Sequence, residues 1–446
     1  MDVSSPITAA ARALRAPKDA IGAGRPARQA LLRLASANHV LALADQALAS
    51  GTSFLALIMV ARATDPAQLG AFAIGNTILG VAIALHQSLV SLPYSIQRHD
   101  MPDRAAEHAF ASLVQSGVLS AAGGILLAAA ALALSACGAG RASVDAAWAL
   151  AALMPFVLAK EFAREFAFAH FDMARAVILD AAVAAVQFAV LGWLAATGRM
   201  SAVTAFGALG VSCAIAVAGW FCATRAAFAF RAGQVRTVAK RSWDLGKWLF
   251  ASRAAVLVQG YATHWLSLVV AGAAVTGLYA ACMSVVSLAN PVLFGIWNLL
   301  TPRSVLAWKD GGAAGLRRRS AKDALLLGGL MGAFCIAVLV AGDGAMRILY
   351  PSRDYDGHGH VVAVLAVATL VWALGIPASN ALASMQRPRP MAAISGLSAA
   401  LNVRLVWCFL MKWGLSGAAF AVLAANAVGT LGRWTAFLTL ARRARS

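Results

Sequence analysis

Arg253 and Arg404 each stand alone inside a long apolar run. A charge in hydrocarbon costs at least about 2.5 kcal/mol on insertion scales, so such a group usually faces protein or a water-filled cavity. A guanidinium stays charged and offers a planar fork of donors that suits phosphate. The two arginines therefore read as parts of a cationic cavity that holds an anion. The other reading is a side chain that snorkels to headgroups or pairs with a buried acid. Gly260 and His264 follow Arg253 at i+7 and i+11, within about 20° of one helical face. Asn402 stands two residues before Arg404.

Lys160, Glu161, Arg164 and Glu165 crowd another apolar run. Their i,i+4 spacing sets a basic stripe beside an acidic one. The cluster reads either as a cavity mouth or as a solvated helix end. Asp45, with Gln46, Thr52 and Ser53 nearby, suggests one polar face, and Asp180 opens a further run. Either aspartate could take up a proton or a coupling cation, or serve as partner to an arginine. Asn76 and Gln87 lie eleven apart and share a face, while His86 points elsewhere. Such groups bind sugar hydroxyls or hydrogen-bond between helices.

These residues form no catalytic constellation. The sequence has no Gly-x-x-x-x-Gly-Lys loop and no HExxH, so ATP-driven transport and zinc hydrolysis lack a signature. The cysteines, Cys137, Cys213, Cys222, Cys282, Cys335 and Cys408, have no CxxC spacing. They read as small apolar packing residues rather than metal ligands or disulfides. No cofactor or metal is expected.

What positions the charges is a set of membrane helices. The chain has 446 residues, 61% hydrophobic and only 12% charged, with mean hydropathy +0.74. A soluble domain is about 25% charged, so lipid must be the solvent for most of this surface. A span needs about 20 apolar residues. Apolar blocks fall near 37–60, 69–92, 108–137, 143–168, 174–197, 201–229, 248–270, 275–300, 322–342, 360–383, 390–411 and 415–438. The fold expected is all-α and polytopic, with about twelve spans. The fourth block is the weakest, because four charges crowd its second half.

Net charge is +19. In a soluble protein that would suggest nucleic acid; here topology explains it. Alternate connections hold 29 of the 37 Lys and Arg, the others hold six, and two lie inside blocks. This asymmetry predicts an even span count with both termini cytoplasmic. Residues 1–35 lack a signal-peptide pattern and read as a disordered basic cytoplasmic tail. The expected organisation continues with a first lobe over 36–229, a basic cytoplasmic link over 230–247, a second lobe over 248–440 and a basic end over 441–446.

The second block opens with Leu69-Gly70-Ala71-Phe72 and ends at Pro93; the eighth opens with Thr276-Gly277-Leu278-Tyr279 and ends at Pro302. The offset is 207 residues, nearly half the chain. Two six-helix halves with an even span count share one orientation. This predicts parallel repeats about an axis along the membrane normal, with a path between them.

Several local runs carry a family likeness. Asp45-Gln46, Ser53-Phe54-Leu55, Val60-Ala61-Arg62, Asp65-Pro66 and Leu69-Gly70-Ala71-Phe72 resemble the opening of bacterial polysaccharide flippases. These belong to the multidrug/oligosaccharidyl-lipid/polysaccharide exporter (MOP) superfamily. Gly277-Leu278-Tyr279-Ala280, Asn298 and Thr301-Pro302 look like its eighth span. Asn380 to Met385, Arg387-Pro388-Arg389, Leu401-Asn402 and Gly414 to Ala419 look like its last three. The likeness spans residues 36 to 440. It implies two six-helix bundles forming a V in the bacterial inner membrane. It also implies translocation of undecaprenyl-pyrophosphate-linked oligosaccharide to the periplasmic leaflet, with a polymerase or chain-length regulator as partner.

One departure stands out. Related lipid flippases place an acidic ion site among spans seven, eleven and twelve. Here those spans offer Arg253, Asn402, Arg404 and Asn426, with no acid. A sodium site there is not expected. Two rivals remain, a cation-coupled multidrug exporter of the same superfamily and a membrane-embedded glycan-processing enzyme. The first should carry acids and an aromatic surface in its cavity, the second a long extracytoplasmic loop. The longest such loop here, 343–359, is short.

Overall fold

The structure, a computed structural model, describes residues 25–98, 104–138, 140–230, 232–385 and 388–443. The first six helices are α1 (Arg25–Ala63), α2 (Pro66–Gln97), α3 (Ala105–Ala136), α4 (Arg141–Ala169), α5 (Met173–Ala196) and α6 (Ala202–Thr224). Then come α7 (235–271), α8 (273–311), α9 (313–349), α10 (Gly359–Ser384), α11 (388–413) and α12 (415–443). Three glycines make the sharp turns within the second set. Gly272, Gly312 and Gly414 take positive φ of 86°, 52° and 54°, a conformation glycine reaches without a Cβ penalty. Among the described residues this membrane protein is thus all-α with twelve helices, as the blocks predict.

The helices form two lobes. In the first, α4 is the hub, burying Leu150, Leu153, Met154, Leu158, Phe162 and Ala163 against its neighbours. The weakest apolar block is therefore the centre of its lobe, because its charges are paired rather than solvated. In the second lobe α10 plays the same part, burying Val361, Val362, Leu365 and Ala366.

The lobes meet where α2 runs antiparallel to α7. Trp265 Nε1 donates to Thr77 Oγ1 at 2.8 Å, and Gly80 leaves room for the Tyr261 phenol. At one end the repeat becomes a physical contact. A methyl group on Gly70 would lie 1.9 Å from the Ala273 carbonyl oxygen, and one on Gly277 would lie 1.9 Å from that of Pro66. Pro66 and Gly70 correspond to Ala273 and Gly277 under the 207-residue offset. The two helices thus cross backbone to backbone, in the manner of small-residue crossings in membranes.

Prolines shape three helices. Pro93 follows a π-helical turn, Gln87–Ser91. Its missing N–H frees the Leu89 carbonyl, which accepts from Gln115 Nε2 at 3.0 Å. Pro291 follows an interruption at 288–289, and Pro377 follows one at Gly375. Pro302 lies in unbroken helix.

Three expected boundaries move. Of the tail expected over 1–35, residues 1–24 lie outside the described residues, while 25–35 already belong to α1. Their Ala, Leu, Gln and Arg are good helix formers. The link expected over 230–247 is mostly the first turns of α7. Val238, Ser242 and Gly246 are buried there, and Gly246 packs on the backbone of Ser88 and Leu89. Of the end expected over 441–446, residues 441–443 finish α12 and the rest lie outside the described residues.

Candidate functional site

The first lobe encloses a cavity of about 430 Å³ among α1, α2, α4, α5 and α6. Asn76, Lys160, Glu161, Asp180 and Gln187 bring polar groups to its wall. Thr52 and Ser53 also line it, but each hydroxyl donates to its own helix at i−4.

Beside this cavity lies a buried charge network. Lys160 Nζ stands 2.7 Å from Asp180 Oδ1 and 3.1 Å from Glu161 Oε1. Arg164 Nη2 reaches Asp45 Oδ2 at 2.6 Å, with Nε on the same oxygen at 3.0 Å. Arg164 Nε is 3.2 Å from Asp180 Oδ2, and Nη1 is 3.7 Å from Glu161. The guanidinium also lies over the Phe168 ring, 5.1 Å from its centroid. The Asp45 side chain is only 1% exposed and that of Asp180 4%. The two cations of α4 thereby bind α1 to α5. Asp45 and Asp180, the coupling-ion candidates, both have side-chain cations as partners. Glu165 neighbours Arg164 and, across the gap between lobes, Arg253.

Arg253 meets a second predicted residue. Its Nη1 donates to Gln87 Oε1 at 2.8 Å, across the lobe boundary at the π-helical turn. The structure does not bring the remaining candidates to this place. His264, unlike exposed Gly260 and Arg253, packs edge-on to Tyr279 with centroids 4.9 Å apart. Asn402 is buried, and its Oδ1 has no partner among the described residues. Arg404 is exposed on a face shared with Leu397, Trp407 and Met411, surroundings that suit lipid.

Sequence reasoning missed three groups. Arg62, at the end of α1, donates from Nε to the Leu349 carbonyl at 2.9 Å and from Nη2 to the Ile348 carbonyl. It caps the orphan carbonyls at the end of α9 and ties the lobes at the end opposite the chain termini. Nearby, the Tyr350 hydroxyl hydrogen-bonds Ser284 at 2.5 Å, and burial pushes its pKa up to about 12. Arg433, grouped in sequence with the basic chain end, lies instead inside α12, against the break in α10 at Gly375. Among the described residues no cluster of His, Cys, Asp or Glu is placed to hold a metal ion.

No protein-family profile matches the sequence, and no curated protein does. Solved structures do. An inward-facing conformation of a multidrug resistance MATE family transporter of the MOP superfamily superposes with TM-score 0.74 at 14% identity, covering 90% of this chain and 95% of that one. An outward-facing conformation of a MATE transporter gives 0.62 at 13% identity, over 91% and 95%. A MOP superfamily transporter from Pyrococcus furiosus Vc1, described as having a binding pocket of reverse polarity that suggests a different function, gives 0.63 at 13%, over 91% and 95%. The chain therefore has the fold of MOP superfamily transporters.

Proposed function

We propose that this chain is an alternating-access flippase in the bacterial inner membrane. It moves an undecaprenyl-pyrophosphate-linked oligosaccharide from the cytoplasmic to the periplasmic leaflet for surface polysaccharide synthesis. Both termini are cytoplasmic in this reading, as the alternation of basic connections requires. The observation that carries it is the charge of the second lobe. Residues 250–308, 324–342 and 360–446 contain no Asp or Glu, yet hold Arg253 at the lobe boundary and Arg433 inside α12. Such a lobe favours an anionic headgroup over a cationic drug.

The proposed cycle draws on this geometry. The glycine contact and Arg62 hold the lobes together at the periplasmic end. The headgroup enters from the cytoplasm between the lobes, while the polyprenyl tail stays in lipid at a lateral opening. Arg253 meets the diphosphate at the lobe boundary, and Gln87, its present partner, is displaced. Lys160, Asn76 and Gln187 line the first-lobe cavity, with Arg164 in the charge network beside it, and there sugar hydroxyls find donors and acceptors. Asp45 and Asp180 both pair with the α4 cations; a proton reaching either carboxylate would weaken that pairing and loosen α1 or α5 from α4. Coupling through these two residues is part of the proposal.

A multidrug exporter is the second reading, favoured by the MATE structures this fold matches and by the acids beside the first-lobe cavity. Deletion of the gene tests both. The flippase reading expects lipid-linked oligosaccharide to accumulate on the cytoplasmic leaflet and a surface polysaccharide to disappear. Unchanged glycan with altered drug tolerance would establish the rival instead.

A further inference from the structure

Arg433 sits in the second lobe without a counter-charge. Its Nε is buried and has no hydrogen-bond partner among the described residues, and its Nη2 meets Thr430 Oγ1 at a long 3.4 Å. No acid lies in residues 360–446, so α10, α11 and α12 cannot supply one. Arg433 lies ten residues before Arg443, about 15 Å along the helix from its end.

The side chain does not escape toward the nearer surface. A snorkelling arginine here would extend along α12 toward Arg443. Arg433 instead turns back by one turn, the direction helical side chains favour. Its guanidinium lies beside Thr430 and Gly429, at i−3 and i−4. A methyl group on Gly429 would lie 3.5 Å from Nη2, and one on Gly375 would lie 2.9 Å from Nη2 and 3.1 Å from Nε. Two glycines on two helices thus leave the space that the fork occupies.

Neutral polar groups stand around it. Gln259 Nε2 of α7 points at Ser398 Oγ at 3.4 Å, and Ser398 Oγ in turn donates to the Ala425 carbonyl at 2.9 Å. Ser398 is also 2.9 Å from the position of a Gly429 methyl. Thr430 and Trp434 donate to the Val371 and Leu374 carbonyls, which caps the broken α10 without using Arg433. The guanidinium is therefore not needed to complete the helix break. Gln259 connects this polar set to α7, the helix that carries Arg253.

The guanidinium is part-buried, with its Nε enclosed and unpartnered, and a cation so placed is costly; among the described residues only the long Thr430 bond offsets it. We propose that Arg433 is an oxyanion site of the phosphate class at the junction of α7, α10, α11 and α12, where it takes the diphosphate of the lipid-linked substrate. A guanidinium fork binds two phosphate oxygens at once. The naming of the diphosphate as occupant rests on the flippase reading; the anion site does not.

The test uses the full chain in nanodiscs of zwitterionic lipid. Thermal melting and calorimetric titration are run with inorganic pyrophosphate, a short prenyl diphosphate and the matching prenol, and again in nanodiscs containing phosphatidylglycerol. The expected result is stabilisation by the prenyl diphosphate and none by the prenol. R433M should bind it at least tenfold more weakly, with R433K between. Without ligand R433M should melt no lower than the native protein, since it removes an unpaired charge. Equal binding by R433M, no response of the native protein to any phosphate, or failure of R433M to fold would each overturn the site. A response confined to pyrophosphate or to phosphatidylglycerol, lost in R433M, keeps the site and assigns it to a free anion or a headgroup. Arg433-dependent binding in a protein whose deletion leaves surface glycan unchanged keeps the site and removes the flippase reading. Loss of glycan with full binding by R433M does the reverse.

Discussion

The two lobes share one architecture and treat charge in opposite ways. In the first lobe Lys160 and Arg164 meet Asp45, Glu161 and Asp180 within 4 Å, so its buried ions compensate one another. In the second, Arg433 has one weak neutral partner, and Arg253 looks to Gln87 of the other lobe. Burial alone explains neither pattern. A paired ion becomes structural because removing one partner strands the other, whereas an unpaired ion stays available to something that arrives later.

The contrast predicts that equivalent substitutions differ in effect. R164M strands Asp45 and leaves Asp180 and Glu161 with less compensation. It should cost about 3–5 kcal/mol, read as a large fall in melting temperature of the purified protein, with loss of transport. A smaller fall than for an ordinary surface arginine would remove the distinction between lobes. The glycine crossing belongs to both lobes equally. G70A and G277A should each cost about 1–3 kcal/mol through overpacking. Because they push apart one contact, the double variant should fall short of their sum; full additivity would show that the crossing is not shared.

Two predictions probe the second lobe and the closed end. R404L replaces an unpaired charge on an exposed apolar face, so its melting temperature should hold or rise, opposite in sign to R164M. R62A removes two bonds between lobes at an exposed position, worth about 1 kcal/mol. It should shift labelling of cysteines placed near Ser284 toward the accessible state without lowering stability much. Unchanged labelling would mean that the glycine crossing holds this end unaided.

The smallest expected effect is that of His170, just beyond α4. Burial, the main cause, lowers its pKa, while the Phe166 carbonyl 2.8 Å from Nδ1 acts the other way. The unfolded chain then binds a proton more readily than the folded one. Stability from this group is present above the ordinary histidine pKa of about 6.5 and falls away as pH drops below it. H170N should flatten that part of the stability curve; an unaltered curve would show that His170 does not titrate differently on folding.

Much of the frame was legible in the letters. Apolar run length gave the spans, and the alternation of Lys and Arg gave their parity. Gly70 and Gly277 marked the repeat that the structure turns into a contact. The limits have physical causes. Lys160, Glu161, Arg164 and Glu165 read equally as a cavity mouth or a solvated end because their partners lie elsewhere: Asp45 is 119 residues from Arg164 in sequence. Arg433 merged with the basic terminus because its place depends on where α10 breaks, a tertiary fact. The face of Arg404 could not be assigned, since lipid and a wet cleft select different neighbours only once the helices are packed. Helix ends ran past the apolar runs because helix propensity and amphipathic packing continue after hydropathy falls.

The backbone crossing of Gly70 and Gly277 lies near one tip of α2 and α8, not at their middle. A lever hinged at its tip magnifies rotation at the far end. A helix about 30 Å long swings its free tip by about 5 Å for every 10° of tilt. Slight slippage where the two glycines touch is thus enough to widen or narrow the mouth on the other side of the bilayer, without unpacking either bundle.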